Sequence, residues 1–77
     1  MARIIFEGWE VGMRKIPFTK LLNEKAGIPL TEAKKLKDRL VNDDEIIEIE
    51  IEDEDLAREI LEQAQKLNVK GRLECQE

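Results

Sequence analysis

Isoleucine and glutamate alternate along residues 47–52, which is the clearest pattern in the chain. Successive side chains of a strand point to opposite faces, so this period of two predicts a strand, within residues 45–52, with one buried and one solvated face. Two further strands are predicted. One spans residues 3–7, where Ile-Ile-Phe lies between charged residues, and the other spans residues 69–75, where apolar or small residues alternate with charged ones.

Residues 15–39 predict two short helices joined by a Gly-Ile-Pro elbow. Pro17 suits the first turn of the first helix, where its missing N–H costs nothing, and Gly27 suits the C-cap. Thr31 is the predicted N-cap of the second helix. The apolar residues at helical spacing are Phe18, Leu21 and Leu22 in the first helix and Ala33, Leu36 and Leu40 in the second.

A turn at residues 42–44, Asn-Asp-Asp, is expected to end the second helix. Asp53 is then the predicted N-cap of a third helix, and Asn68 its left-handed terminator. The apolar stripe of this third helix comprises Leu56, Ala57, Ile60, Leu61, Ala64 and Leu67.

The resulting order is β-α-α-β-α-β. Counting chain reversals makes the second and third strands parallel to each other and antiparallel to the first, and the simplest sheet places the first strand between them. The expected fold is therefore a two-layer α+β domain, with a three-stranded, mainly antiparallel sheet and three helices on one face.

The size and composition fit one small domain, residues 1–77. The chain is 42% apolar and 40% charged, with only 4% aromatic residues, so its core is expected to be aliphatic. No apolar run exceeds four residues, which leaves no candidate membrane span and no signal-peptide core. We therefore expect a cytoplasmic protein.

Charge is divided unevenly along the chain. Residues 1–40 hold nine Lys/Arg and five Asp/Glu, a net +4, whereas residues 41–77 hold four and thirteen, a net −9, giving −5 in all. Halves of opposite sign predict one positive and one negative face. A nucleic-acid-binding domain is usually basic overall, so this composition argues against nucleic acid as the partner.

The residues available for chemistry are few. The chain has no histidine and one cysteine, Cys75, which excludes an internal disulfide, the usual zinc sites and most His-based catalysis. Carboxylates are plentiful, but catalytic carboxylates need a pocket that a domain this small has little room for. We expect no enzyme activity, no cofactor and no metal, and Cys75 is predicted to be a small inward-facing strand residue.

Residues 27–34, Gly-Ile-Pro-Leu-Thr-Glu-Ala-Lys, resemble a motif of the C-terminal domain of the bacterial large-subunit ribosomal stalk protein. That family carries Gly-apolar-Gly-Leu-x-Glu-Ala-Lys between its first two helices, and the resemblance extends over most of the chain in the same β-α-α-β-α-β order. It implies a non-enzymatic protein-interaction module whose first two helices recruit translational GTPases through exposed basic and apolar residues.

The family's binding positions fall on Lys15, Ile16, Lys20 and Lys34, which agree with it in type. Other positions depart from the family: Asn23 replaces an arginine, Thr31 a lysine, Pro29 the second glycine of the motif, and Asn68 lies where a Gly-Ala turn is usual. Because the first predicted strand follows Met1 directly, we also expect the family's dimerisation segment and hinge to be missing.

The adaptor of the Clp protease has a similar fold and gives a second resemblance. That family places an Asn-Asp-Asp run just after its first strand and uses a histidine to bind the substrate's amino terminus. Here the run at residues 42–44 follows the second helix, and histidine is absent. A Clp-adaptor-like role is therefore the weaker alternative.

We expect the basic hairpin, defined as residues 15–39, to dock an acidic protein partner, either a translational GTPase or another ribosome-associated factor. Three alternatives stay open. The hairpin could be an ordinary solvated face, the module could dimerise through an exposed Ile5 or its outer strand edges, or Trp9 could anchor a partner instead of covering the core. The side chains expected to bind are Lys15, Ile16, Lys20, Lys34, Lys35 and Lys37.

Overall fold

The computed structural model describes residues 2–75, except for the side chain of Cys75, so the predicted inward orientation of that side chain lies outside the described residues. The elements are β1 (Ala2–Trp9), α1 (Lys15–Glu24), α2 (Leu30–Val41), β2 (Ile47–Ile51), α3 (Glu54–Lys66) and β3 (Val69–Cys75). This order and the α+β class are those predicted from the sequence.

The central strand of the sheet is β1. The strand order is β2-β1-β3, and β1 pairs antiparallel with both neighbours, as the counting of reversals requires. The register places Ile4 between Ile49 and Leu73. Apolar positions of three strands therefore fall in one row, which is the condition for a sheet with a single buried face.

The helices cover that buried face and form the second layer. Phe6 of β1 and Phe18 of α1 are both fully buried, and their rings meet edge to face with centroids 5.2 Å apart and planes at 89°. The same core contains Leu40 of α2 and Ile60 of α3. The core is otherwise aliphatic, as the composition predicts.

Ile5 lies on the opposite face of the sheet, yet it is only 4% exposed. The prediction that it is exposed is wrong. Ile5 lies between Glu48 of β2 and Arg72 of β3, whose long side chains can cover an apolar neighbour with their methylene groups. The helix-free face therefore has no exposed apolar centre at Ile5 through which copies could associate.

The second helix begins two residues earlier than a Thr31 cap requires, so that prediction is also wrong. Pro29 is the N-cap, with φ −52° and ψ 142°, and its carbonyl accepts a 2.9 Å hydrogen bond from the amide of Ala33. The proline ring fixes φ at a value suited to a helix start. Leu30 consequently becomes the first helical residue, with its side chain about half exposed.

The second strand is shorter than the predicted 45–52. Glu45 belongs to the preceding turn, where its amide donates to the carbonyl of Arg39 (3.0 Å) and its carboxylate pairs with the Arg39 guanidinium (2.5 Å). Asp44 supplies the left-handed turn residue, at φ 52°. The alternation itself is confirmed, because the isoleucines of Ile47–Ile51 are buried and the intervening glutamates are exposed.

The first strand is longer than the predicted 3–7. A bulge between Phe6 and Gly8 shifts the register against β3, and the strand continues to Trp9, opposite Val69. Trp9 is 36% exposed and therefore neither fully covers the core nor projects freely.

Two predicted cap and terminator residues, Asp53 and Asn68, are confirmed, whereas the predicted C-cap Gly27 is not the cap. A carboxylate oxygen of Asp53 accepts from the amides of Asp55 (2.9 Å) and Leu56 (3.3 Å) at the start of α3. Asn68 adopts φ 66° after the helix. The C-cap of α1 is Lys25, and Gly27 lies two residues beyond it, where its φ of 71° turns the chain toward α2.

Candidate partner-binding groove

The outer face of α1 presents basic and apolar side chains next to each other. Lys15, Ile16, Thr19 and Lys20 recur at a spacing that keeps them on one side of a helix, while the opposite side carries core residues such as Leu22. Ile16 is 72% exposed although it is a large aliphatic residue. The Thr19 hydroxyl is satisfied internally, because it donates to the Lys15 carbonyl at 3.1 Å.

The facing side of α2 is built in the same way. Leu30, Lys34, Lys37 and Asp38 follow at intervals of four, three and one, which places them along one helix face. Leu30 is 48% exposed. The loop that joins the two helices is held by the Asn23 side chain, whose amide donates to the Ile28 carbonyl at 2.8 Å.

Together these two faces form a groove between α1 and α2, called here the hairpin groove. It has a volume of about 350 Å³ and is lined by Lys15, Ile16, Thr19, Lys20, Leu30, Lys34, Lys37 and Asp38. Four of these residues are basic and one is acidic. The groove therefore combines two exposed apolar side chains with a rim of net positive charge.

Three of the four rim lysines have no ion-pair partner in the described part of the chain. Lys15, Lys20 and Lys34 form no side-chain hydrogen bond or salt bridge there, whereas Lys37 pairs with Asp38 at 2.5 Å. Among the described residues, the basic residues of the strands are all paired, and so is Arg58 of α3, although Lys66 of α3 is not. Arg3 pairs with Glu50 (3.4 Å) and Arg58 with Glu54 (3.0 Å). The groove lysines are thus available to a carboxylate from another molecule.

The position of Lys15 is unfavourable for its own helix. Lys15 is the first residue of α1, and the first turn contains no acidic residue. The N-terminus of a helix carries a partial positive charge, which disfavours a cation there by about 0.3–1 kcal/mol. Neither α1 nor an ion pair with another described residue explains why a lysine occupies this place.

Five of the six residues predicted to bind a partner line the hairpin groove: Lys15, Ile16, Lys20, Lys34 and Lys37. The sixth, Lys35, does not. It lies on another side of α2, in a shallow depression with Glu32, Leu36 and Arg39. Adjacent residues of a helix point about 100° apart, so Lys34 and Lys35 cannot both face α1.

Sequence reasoning missed three residues of the groove, namely Thr19, Leu30 and Asp38. Leu30 belongs to the motif but not to the predicted binding residues. It is the first residue of α2, and this position is the signal that its apolar side chain lies outside the core. Asp38 supplies the only carboxylate of the lining and neutralises Lys37. Its spacing of four from Lys34 is the signal that could have identified it.

A scan against models of protein families, a search of curated proteins and a search of solved structures each found no match. Among residues 2–75, no helix is both long enough and apolar enough to cross a bilayer. Within the same residues, no cluster of three or more His, Cys, Asp or Glu side chains could hold a metal ion.

Proposed function

We propose that the hairpin groove docks an acidic surface of another protein, and that the chain works as a small non-enzymatic interaction module. The observation that carries this proposal is the placement of two exposed apolar side chains, Ile16 and Leu30, among unpaired lysines in one groove. An aliphatic residue exposed singly, such as Val11, needs no explanation, whereas Ile16 and Leu30 line one groove together.

The chemistry of the groove specifies the partner's surface. An apolar side chain inserted between Ile16 and Leu30 would bury aliphatic area on both sides, and carboxylates around it would meet Lys15, Lys20 and Lys34. Interfaces of this kind have an apolar centre and a polar rim. The charge would accelerate encounter more than it would strengthen the final complex.

The class of partner that we favour is a translational GTPase or another ribosome-associated factor. The support is the resemblance of residues 27–34 to the stalk-domain motif and the match in residue type at Lys15, Ile16, Lys20 and Lys34. All four of these matched residues line the same groove. The departures at Asn23, Pro29 and Thr31 lie outside the groove lining, and at Asn23 and Thr31 they remove two basic side chains that the family has.

The test is direct binding of purified translational GTPases to the wild-type chain and to the double variant Lys20→Glu/Lys34→Glu. Both lysines are exposed and unpaired, so the variant is expected to keep the circular dichroism spectrum and melting temperature of the wild type. We expect micromolar or tighter binding that weakens with salt, and loss of binding in the variant. Equal binding by the two proteins, or no binding to any GTPase, would overturn the proposal.

A further inference from the structure

The two outer strands of the sheet differ in how completely they are covered. The isoleucines of β2 that face the helices, Ile47, Ile49 and Ile51, are at most 6% exposed although β2 is an edge strand. On β3, Leu73 is only half-buried, and so is Leu61 of α3, which packs over Gly71. Apolar surface therefore remains at the β3 edge.

The charges along the two edges also differ. On the helix-free face, β2 presents Glu48 and Glu50, whereas β3 presents Lys70, Arg72 and Glu74 in that order. Two copies of β2 aligned antiparallel would bring glutamate against glutamate, which is destabilising. A free strand edge is a template for pairing, and like charges are one way in which proteins prevent it.

The charges on the β3 edge attract each other when two copies are aligned antiparallel. Directly opposite residues of an antiparallel pair point to the same face of the sheet. When two copies of β3 pair about a two-fold axis, each residue must therefore lie opposite one from the same face, so odd-numbered residues pair with odd and even with even. One such register places Glu74 opposite Arg72 of the second copy, and the next places Glu74 opposite Lys70. The first register gives each copy one acidic-to-basic pair across the junction and places Leu73 opposite Leu73. The second places Arg72 opposite Arg72, a like-charge pair that disfavours it.

We propose that two copies of this chain associate through the free edges of their β3 strands. The two sheets then become one six-stranded antiparallel sheet, in the order β2-β1-β3-β3-β1-β2, with all helices on the same face. The Leu73 side chains of the two copies, together with Leu61 of each, would bury their remaining exposed area at the junction. A symmetric dimer of this kind closes on itself and leaves only the glutamate-lined β2 edges outside.

The existing ion pairs of β3 do not oppose this association. Arg72 pairs with Glu7 (3.5 Å) and Glu74 (2.7 Å), and Lys70 with Glu10 at 3.9 Å. Each of these residues is about half exposed, and exposed pairs contribute little. Arg72 and Glu74 can keep their pair and add a partner from the second copy.

The test is the mass of the chain in solution, measured by sedimentation velocity from micromolar to millimolar concentration. The wild type is expected to rise from 9.0 kDa toward twice that mass. Glu74→Lys makes all three outward charges of β3 positive, and Lys70→Glu/Arg72→Glu makes all three negative. Each variant alone is expected to raise the dissociation constant about tenfold or more, and an equimolar mixture should restore dimers containing one chain of each.

The matched control is Glu48→Lys, which makes the same change of charge on the other edge. It should not weaken the dimer. A wild type that stays at 9.0 kDa, a mixture that associates no better than its components, or a Glu48→Lys effect as large as that of Glu74→Lys would each overturn the proposal. If a variant loses its circular dichroism spectrum, amide exchange in the wild type decides the question. Protection must rise with concentration in β3 and not in β2.

Discussion

Lys34 and Lys35 are adjacent in α2, but only Lys34 lines the hairpin groove with Ile16, and Lys35 lies beside Arg39 on another side of the helix. Both are exposed, and neither has an ion-pair partner among the described residues. The two lysines therefore form a matched pair that differs in position alone.

This pair gives the sharpest test of the groove. Lys34→Glu is expected to weaken partner binding by about 1–3 kcal/mol, because it replaces an attractive contact with a repulsive one. Lys35→Glu is expected to change only the electrostatic potential at a distance, which salt screens, so its effect on binding should be smaller. Titration calorimetry at low and physiological salt measures both. Equal losses would mean that net charge matters and that the groove does not.

Ile16 tests the apolar part of the same surface. Ile16→Ser is expected to change the free energy of unfolding by no more than about 0.5 kcal/mol, because the side chain is 72% exposed. It should nevertheless weaken partner binding by more than about 1 kcal/mol if Ile16 is an anchor.

Val11 is the control for this change, because it is 97% exposed and lies outside the groove. Val11→Ser should alter neither stability nor affinity. Unfolding in urea and binding of the same partner give the two readouts. If Val11→Ser weakens binding as much as Ile16→Ser does, the contact surface lies elsewhere.

Lys15 separates helix stability from binding. Lys15→Glu places an acid at the positive end of α1 and should stabilise the domain by about 0.3–1 kcal/mol, since no ion pair with a described residue is lost. The same change should weaken partner binding. Chemical denaturation and binding would then move in opposite directions, which a lysine retained for stability would not produce. A drop in stability would show that Lys15 supports α1.

The register of the sheet can be checked at two adjacent positions of β2. Ile49→Asp buries an unpaired carboxylate and should remove about 3 kcal/mol or more, enough to unfold a domain this small. Glu50→Lys breaks only the 3.4 Å exposed pair with Arg3 and should cost no more than about 1 kcal/mol. Thermal unfolding distinguishes the two, and similar melting temperatures would contradict the observed register.

Much of the fold could be predicted because its signals are local. The alternation in Ile47–Ile51 fixes both faces of β2, and Asp53 can cap α3 whatever else the chain does. Thr31 shows the limit of such reasoning. Threonine is a good N-cap residue, but α2 starts two residues earlier because the backbone conformation of Pro29 makes that residue the N-cap.

Two features could not be predicted because they depend on residues distant in sequence. Ile5 is on the solvent face by its period, and only its neighbours in the other strands, Glu48 and Arg72, make it buried. For Lys34 and Lys35, the sequence places both on the outer side of α2. Which of them faces α1 depends on how the two helices cross, and no local pattern encodes that angle.

Gly71 marks a place where β3 and α3 approach too closely for a side chain. A Cβ atom there would lie 3.0 Å from the Ile5 carbonyl oxygen and 3.1 Å from carbons of both Leu61 and Phe6. Gly71→Ala is therefore expected to destabilise the domain by about 1–3 kcal/mol, because the β1 backbone cannot yield without disturbing the central strand. Gly8→Ala is the control, since a Cβ at Gly8 meets nothing within 4 Å and should leave stability unchanged or raise it by up to about 1 kcal/mol. Urea unfolding of the two variants measures the difference, and a Gly71→Ala protein as stable as Gly8→Ala would show that α3 can move away from the sheet at little cost.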